Sequence, residues 1–169
     1  RISELEDINR KQAMEMVSIS QKARYYRSLI NHIHEDILVI DRDYKITDAN
    51  RSFLVTCGRK RENVIGHHCF KISHGFDKPC DQYDEDCPLK KVFETGQVHT
   101  AWHQHIHAGG WKTWVDLLIS PFFDDHGNIT HVIKAIRDVS ELVEAGKSLK
   151  ASEKKYKRMI ASSSNPVIG

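Results

Sequence analysis

Residues 1–30 carry apolar side chains at alternating steps of three and four, and no Pro or Gly interrupts them. One frame runs Ile2, Leu5, Asn9, Gln12, Met16, Ile19, Ala23, Tyr26 and Ile30. This period predicts a helix with the a/d seam of a coiled coil. Asn9 and Gln12 fall on the seam, where polar residues cost stability but set register and oligomer number. The competing expectation is a lone amphipathic helix lying on its own domain.

The period then changes. Ile37-Leu38-Val39-Ile40, the turn Asp41-Arg42-Asp43 and the alternating Tyr44-Lys45-Ile46-Thr47 predict a β-hairpin. Asp48-Ala49-Asn50 offers a cap for a short helix, Arg51 to Cys57, ended by Gly58, and Glu62 to Ile65 predicts a further helical turn closed by Gly66. His67 to Asp86 reads as irregular. Pro88 to Glu94 fits a helix with Pro in its first turn, stopped at Thr95-Gly96. Three strands are expected at Val98–His107, Trp111–Pro121 and His131–Asp138, with Asp124-Asp125-His126-Gly127-Asn128 turning the last two. Residues 140–162 return to a helical period, with Ser140 as cap and Leu142, Ala145, Leu149, Ser152, Tyr156 and Met159 as a second seam. The fold class expected is α+β: a meander of five antiparallel strands with short helices on one face, between two coiled-coil-like helices. The division expected is a helix over 1–30, a domain over 31–139, an output helix over 140–162, and the start of a following domain over 163–169.

Composition narrows the classes of partner. A net charge of +2 gives no electrostatic footprint for nucleic acid or an anionic membrane. No run approaches the ~20 apolar residues of a membrane span. The abrupt ends read as those of a cytoplasmic fragment whose parent could be membrane-anchored upstream.

The cysteines change the picture more. Cys69, Cys80 and Cys87 crowd one segment with His74, spaced C-x4-H-x5-C-x6-C, while Cys57 sits just before it. With no secretory mark, the clustering favours metal or redox chemistry over a disulfide framework. The spacing matches neither a ferredoxin nor a zinc ribbon, and no C-x-x-C-H marks covalent haem. Three thiols and an imidazole can nevertheless close a tetrahedral site, zinc first and an iron–sulfur cluster second. Asp81, Asp84, Glu85 and Asp86 would favour cation approach. The candidate ligands are Cys69, His74, Cys80 and Cys87, with His67, His68, His103, His105 and Cys57 as possible additions. A Cys80–Cys87 disulfide and reduced cysteines filling a core are the alternatives. His103, His105 and His107 share one face of a strand, where they could join the metal, hold haem or sense pH, or simply form a polar, solvent-facing side. Trp111 and Trp114 are expected in the core or the helix–sheet seam rather than on a cofactor.

The order of these phrases resembles a PAS domain (sensory box) over roughly Tyr25 to Val139. Ile37–Asp41 with Ile46–Asn50 looks like the family's opening hairpin, Val64-Ile65-Gly66 like its next helix end, and Ser120–Ile129 like its penultimate hairpin. Arg137-Asp138-Val139-Ser140-Glu141 resembles its exit motif, and Cys69, His74, Pro79-Cys80, Cys87-Pro88 and Thr95-Gly96 resemble a subgroup with a Cys/His-rich insert. Ala151–Tyr156 through Asn165–Gly169 looks like the lead-in to a second such domain, as in bacterial or archaeal sensor histidine kinases.

The resemblance implies a sensory module. It would detect a ligand, metal or redox signal and relay it through Asp138 and Ser140 and a homodimer of flanking helices to an output domain of the same parent chain. The alternatives are an inert dimerisation scaffold and, against the absence of H-E-x-x-H, C-x-x-C and phosphate-loop motifs, a zinc or thiol enzyme.

Overall fold

The change of period after residue 35 is where the chain leaves a long helix and enters a sheet. The computed structural model describes residues 2–83, 85–107 and 109–163, with side chains between 6 and 160. The seam residues Ile2 and Leu5, the acidic residue Asp84 and most of the expected lead-in at 163–169 lie outside that description.

Helix α1 (Ile2–Asn31) leads into strands β1 (Asp36–Asp41) and β2 (Ile46–Ala49). Helix α2 (Arg51–Thr56), a 3-10 turn at Arg61–Asn63, α3 (Cys69–His74), a 3-10 turn at Cys80–Tyr83 and α4 (Pro88–Thr95) follow. Strands β3 (His99–Ile106), β4 (Lys112–Phe123) and β5 (Ile129–Asp138) complete the sheet, and α5 (Ser140–Ser163) leaves it. The five strands are all antiparallel, in the order β2-β1-β5-β4-β3. This corrects the simple meander: β1 pairs with β5 rather than standing at the far edge, so the first and last strands lie side by side at the centre. Burial drives the exchange, because both strands are apolar on the core face and gain two neighbours there.

One face of the sheet is the core. Leu38, Ile40, Leu117, Ile119, Val132 and Ile136 point into it and meet Phe53, Val64, Phe70, Ile72, Leu89 and Val92 from the helices. Each such side chain contributes roughly 1.5–3 kcal/mol on burial. Pro121 is tolerated within β4 because β3 pairs no further along β4 than Ile119, so the missing N–H removes no ladder bond on that side.

Three local expectations are revised. The segment from His67 is not wholly irregular: Cys69–His74 forms α3, closed by Gly75 at φ 73°. Cys69, Phe70, Ile72, Ser73 and His74 are all buried on it, so this part of the insert does have an apolar anchor. Trp111 is exposed at the β3–β4 turn and stacks on His107 instead of entering the core. Helix α1 does not lie along its own domain: every described side chain from 6 to 34 is exposed, and the helix is tied to the domain at its C-terminal end, where the Ile30 carbonyl and the Asn31 side chain bond Asn50 and Arg51.

Candidate functional site

The outward position of Trp102 decides the register of β3. Trp102 is exposed, so His103 and His105, one and three residues on, point into the core. This corrects the polar, solvent-facing alternative for the histidine face. Facing them, α3 delivers His74 at its C-terminal end, with 5 % of its surface exposed. The His74 ring meets His105 at 4.9 Å and His103 at 5.4 Å, both edge to face. Cys80, in the 3-10 turn, and Glu85, in the coil before α4, close the same space. The ligand atoms of His74, Cys80 and Glu85 all lie within 4.8 Å of one another. Glu85 Oε2 is 3.6 Å from His74 Nδ1 and 3.8 Å from His103 Nδ1.

A second cluster adjoins the first. Lys134 is buried at the middle of β5, on the core face between Val132 and Ile136. Its ammonium faces the sulfurs of Cys69, Cys80 and Cys87, and its Nζ lies 3.4 Å from His105 Nε2. Burial pushes the Lys134 amine below its ordinary range, and the three sulfurs work against that shift. Burial pushes the Cys69 thiol up to about 11. Cys80 and Cys87 are hydrogen-bonded to each other and titrate as a pair. The Cys80 S–H holds Cys87 down, aided by the backbone N–H groups of Lys90 and Leu89 at the start of α4, while Cys80 is pushed up. Burial, then the nearby ammonium of Lys134, lowers His74 to about 3 and also lowers His103 and His105.

The expected ligands therefore divide. His74 and Cys80 meet at one point with Glu85, and His103 stands beside Glu85; Cys69 and Cys87 are buried next to them, with Lys134 facing all three sulfurs. All four cysteines are free thiols. Cys57 caps the end of α2 and lines a separate small cavity with Asp36 and His107. His67 and His68 are exposed, and His68 stacks on Phe70. Glu85 and Lys134 were not singled out as site residues by sequence reasoning. Lys134 had a signal, being the inward position of an alternating Val-x-Lys-x-Ile strand; Glu85 was marked only as one of four acidic residues favouring cation approach, with nothing to set it apart from its neighbours.

The exit from the domain is also ordered. Ser140 Oγ accepts from the backbone N–H of Trp114 at 3.0 Å, and Ser140 N–H donates to Asp138 Oδ1 at 2.8 Å. Val139 N–H donates to the Trp114 carbonyl at 2.9 Å. The start of α5 is thereby tied to β4. The cavity beneath this junction, between Asp36, His105, Val115 and Asp138, has a volume of about 40 Å³. That is far below the roughly 300 Å³ of a small-molecule pocket.

A family model described as a PAS domain matches residues 34–141. The chain belongs to the PAS domain family. The biofilm dispersion protein BdlA of Pseudomonas aeruginosa is 24 % identical over 103 residues, covering 61 % of this chain and 24 % of BdlA. This chain thus spans about a quarter of that relative. Among solved structures, an RNA-binding light-oxygen-voltage receptor superposes with a TM-score of 0.65 at 20 % identity, over 81 % of this chain and 38 % of that one. A PAS domain from a two-component sensor histidine kinase superposes with a TM-score of 0.56 at 13 % identity, over 70 % of this chain and 97 % of that one. At such identities the structures speak for the PAS fold alone. Among the described residues, no helix of this PAS protein is long and apolar enough to cross a membrane.

Proposed function

We propose that this chain is the sensory PAS module of a longer, cytoplasmically exposed signal-transduction protein. Its input is the buried thiol–imidazole pocket, and its output leaves through Asp138 and Ser140 into α5. The pocket takes a soft divalent metal, zinc before an iron–sulfur cluster; haem finds no room in the cavity beneath the exit without displacing core side chains. The fragment itself is not a catalyst, and the output domain, such as a histidine kinase, belongs to the parent chain.

One observation carries this reading. His103 of the pocket pairs with Val115 on β4, and Val115 pairs with Asp138 on β5. A single row of backbone pairing therefore runs from the pocket to the exit residue. The neighbouring row carries Gln104 opposite Trp114, whose amide bonds Ser140. Occupation of the pocket would pull on β3, and a shift of β3 is felt where α5 begins. Such coupling requires that the two arrangements differ in affinity for the input.

Hydrogen exchange tests the relay. Adding zinc to the chelator-stripped chain is expected to slow exchange over 69–107 and also over 138–145. Ser140→Ala is expected to keep the first effect and diminish the second. Protection confined to 69–107 in the unsubstituted chain would rule the relay out.

The partner for α1 is a second copy of this chain. Met16, Ile19, Tyr26 and Ile30 follow the a/d spacing and are exposed, as are the seam residues Leu142, Leu149 and Tyr156 of α5. Sedimentation at micromolar concentration is expected to give a dimer, and Met16→Lys with Ile19→Lys a monomer. A wild-type monomer would remove the dimer from the mechanism.

A further inference from the structure

We infer that the pocket is a four-ligand zinc site built from Cys80, His74, His103 and Glu85, in which Cys69 and Cys87 take no part. The inference rests on the metal-input reading above and gives it a specific coordination sphere.

The strongest observation is a pair of buried atoms without hydrogen-bond partners, Glu85 Oε2 and His103 Nδ1. They face each other at 3.8 Å. His103 is 93 % buried, since only 7 % of its surface is exposed. Its other ring nitrogen, Nε2, lies 2.8 Å from the Asp86 carbonyl. A carbonyl only accepts, so the ring proton sits on Nε2 and Nδ1 presents a lone pair. A carboxylate oxygen also presents lone pairs. Two acceptors aimed at one another in a buried site repel unless a cation stands between them. An imidazolium–carboxylate pair would instead close to about 2.7–2.9 Å.

The distances fit a metal. Tetrahedral zinc with nitrogen and oxygen ligands at about 2.0–2.1 Å and sulfur at about 2.3 Å sets neighbouring ligand atoms roughly 3.3–3.6 Å apart. Glu85 Oε2 lies 3.6 Å from His74 Nδ1 and 3.8 Å from His103 Nδ1, and Cys80 Sγ joins His74 and Glu85 within 4.8 Å. His74, Cys80 and Glu85 already stand within 4.8 Å of one another, and His103, 3.8 Å from Glu85, would have to move inward to complete the sphere. The Asp86 carbonyl on His103 Nε2 is the outer-sphere contact that orients a metal-binding imidazole.

Charge balance selects the same set. One thiolate and one carboxylate neutralise Zn²⁺, and two neutral imidazoles add nothing, so the buried complex carries no net charge. Adding the Cys69 and Cys87 thiolates would leave it negative. Lys134 faces all three sulfurs, and what sets Cys80 apart is that its Sγ stands with His74 and Glu85 within 4.8 Å. With four protein ligands the sphere is closed, which suits a structural or sensing site rather than a catalytic one. The ion would join α3, the 3-10 turn, the coil before α4 and edge strand β3.

The test is zinc titration of the reduced, chelator-stripped 169-residue chain against a chromophoric zinc chelator. One equivalent is expected to bind. Glu85→Gln and His103→Ala are each expected to weaken binding by about a hundredfold or more, while Cys69→Ser and Cys87→Ser stay within about tenfold, at or below the roughly 10–100-fold of an outer-sphere change. The visible spectrum of the cobalt-loaded wild type, which depends on no variant folding, is expected to show tetrahedral cobalt with the sulfur charge-transfer intensity of one thiolate. Wild-type affinity in Glu85→Gln, or three-thiolate intensity, overturns the ligand set. Loss of binding in Cys69→Ser and Cys87→Ser would do the same while leaving the metal input standing. A wild type that takes no zinc overturns both.

Discussion

Taking the metal-free protein from about pH 7.5 to about pH 5 is expected to lower folding stability, by about 2 kcal/mol through His74 alone. Three buried imidazoles are responsible. His74, His103 and His105 are all held below the ordinary histidine range, His74 at about 3. In the unfolded chain the same groups take up protons near pH 6.5. Between that value and the lowered folded ones, the unfolded state binds more protons, so stability falls as the pH falls. The stability is fully present above about 6.5 and, for His74, goes on being lost down to about 3. One such group loses about 1.4 kcal/mol for each pH unit below its unfolded value. Lys134 adds to the sign of the effect, because its ammonium faces the same rings. Asp36 opposes it: burial raises its carboxyl despite the hydroxyls of Ser52 and Thr56, so protonation there relieves a cost. Urea unfolding at a series of pH values measures the slope. His105→Phe should flatten it, and a wild-type slope near zero between pH 7 and pH 5 would mean that the rings are not buried neutral.

Asn50→Ala is expected to destabilise the domain by roughly 2–4 kcal/mol. Asn50 is 2 % exposed and joins three elements. Its Oδ1 accepts from Phe53 N–H, capping α2, and from Ile37 N–H on β1, both at 3.0 Å. Its Nδ2 donates to the Glu35 carbonyl at 2.8 Å and reaches Ile33 and Ile30 at the end of α1. Loss of a cap accounts for about 1 kcal/mol. The remainder comes from partners left buried without hydrogen bonds. Asn50→Asp keeps the acceptor and loses the donor, so it should fall between wild type and Ala. A melting temperature for Asn50→Ala within about 3 °C of wild type would contradict this, since 1 kcal/mol corresponds to roughly 4 °C in a domain of this size. Because Nδ2 holds the carbonyls at the end of α1, the same change should loosen the helix from the sheet.

The legible part of this protein was its local chemistry. Asn50 reads as a cap from the sequence Asp48-Ala49-Asn50, and it caps α2. The alternation of β5 and the turn at Asp124–Asn128 give strand and hairpin directly, since side chains two apart share a face and an Asp side chain bonding backbone N–H groups further on, with Gly beside it, closes a turn. The run of threes and fours in 1–30 gives a continuous helix, observed over Ile2–Asn31. Of the Cys and His residues concentrated between 69 and 105, Cys69, His74, Cys80, Cys87, His103 and His105 are buried in the fold.

What lay beyond reach was everything set by distance through space rather than along the chain. Five strand candidates do not say that β1 lies against β5, because antiparallel pairing is indifferent to the order in which strands are made. Sequence spacing grouped Cys69, His74, Cys80 and Cys87. Folding sets Lys134 against all three sulfurs and brings the Glu85 carboxylate to His74 and Cys80. The face taken by His103 and His105 was equally open, since a one-residue change of register inverts every side chain of a strand. The chain alone determines which residues can bind, cap and turn. Which of them meet is decided by the sheet and by α3 closing over it, because burial of the apolar face is a property of the whole fold and carries the polar groups along with it.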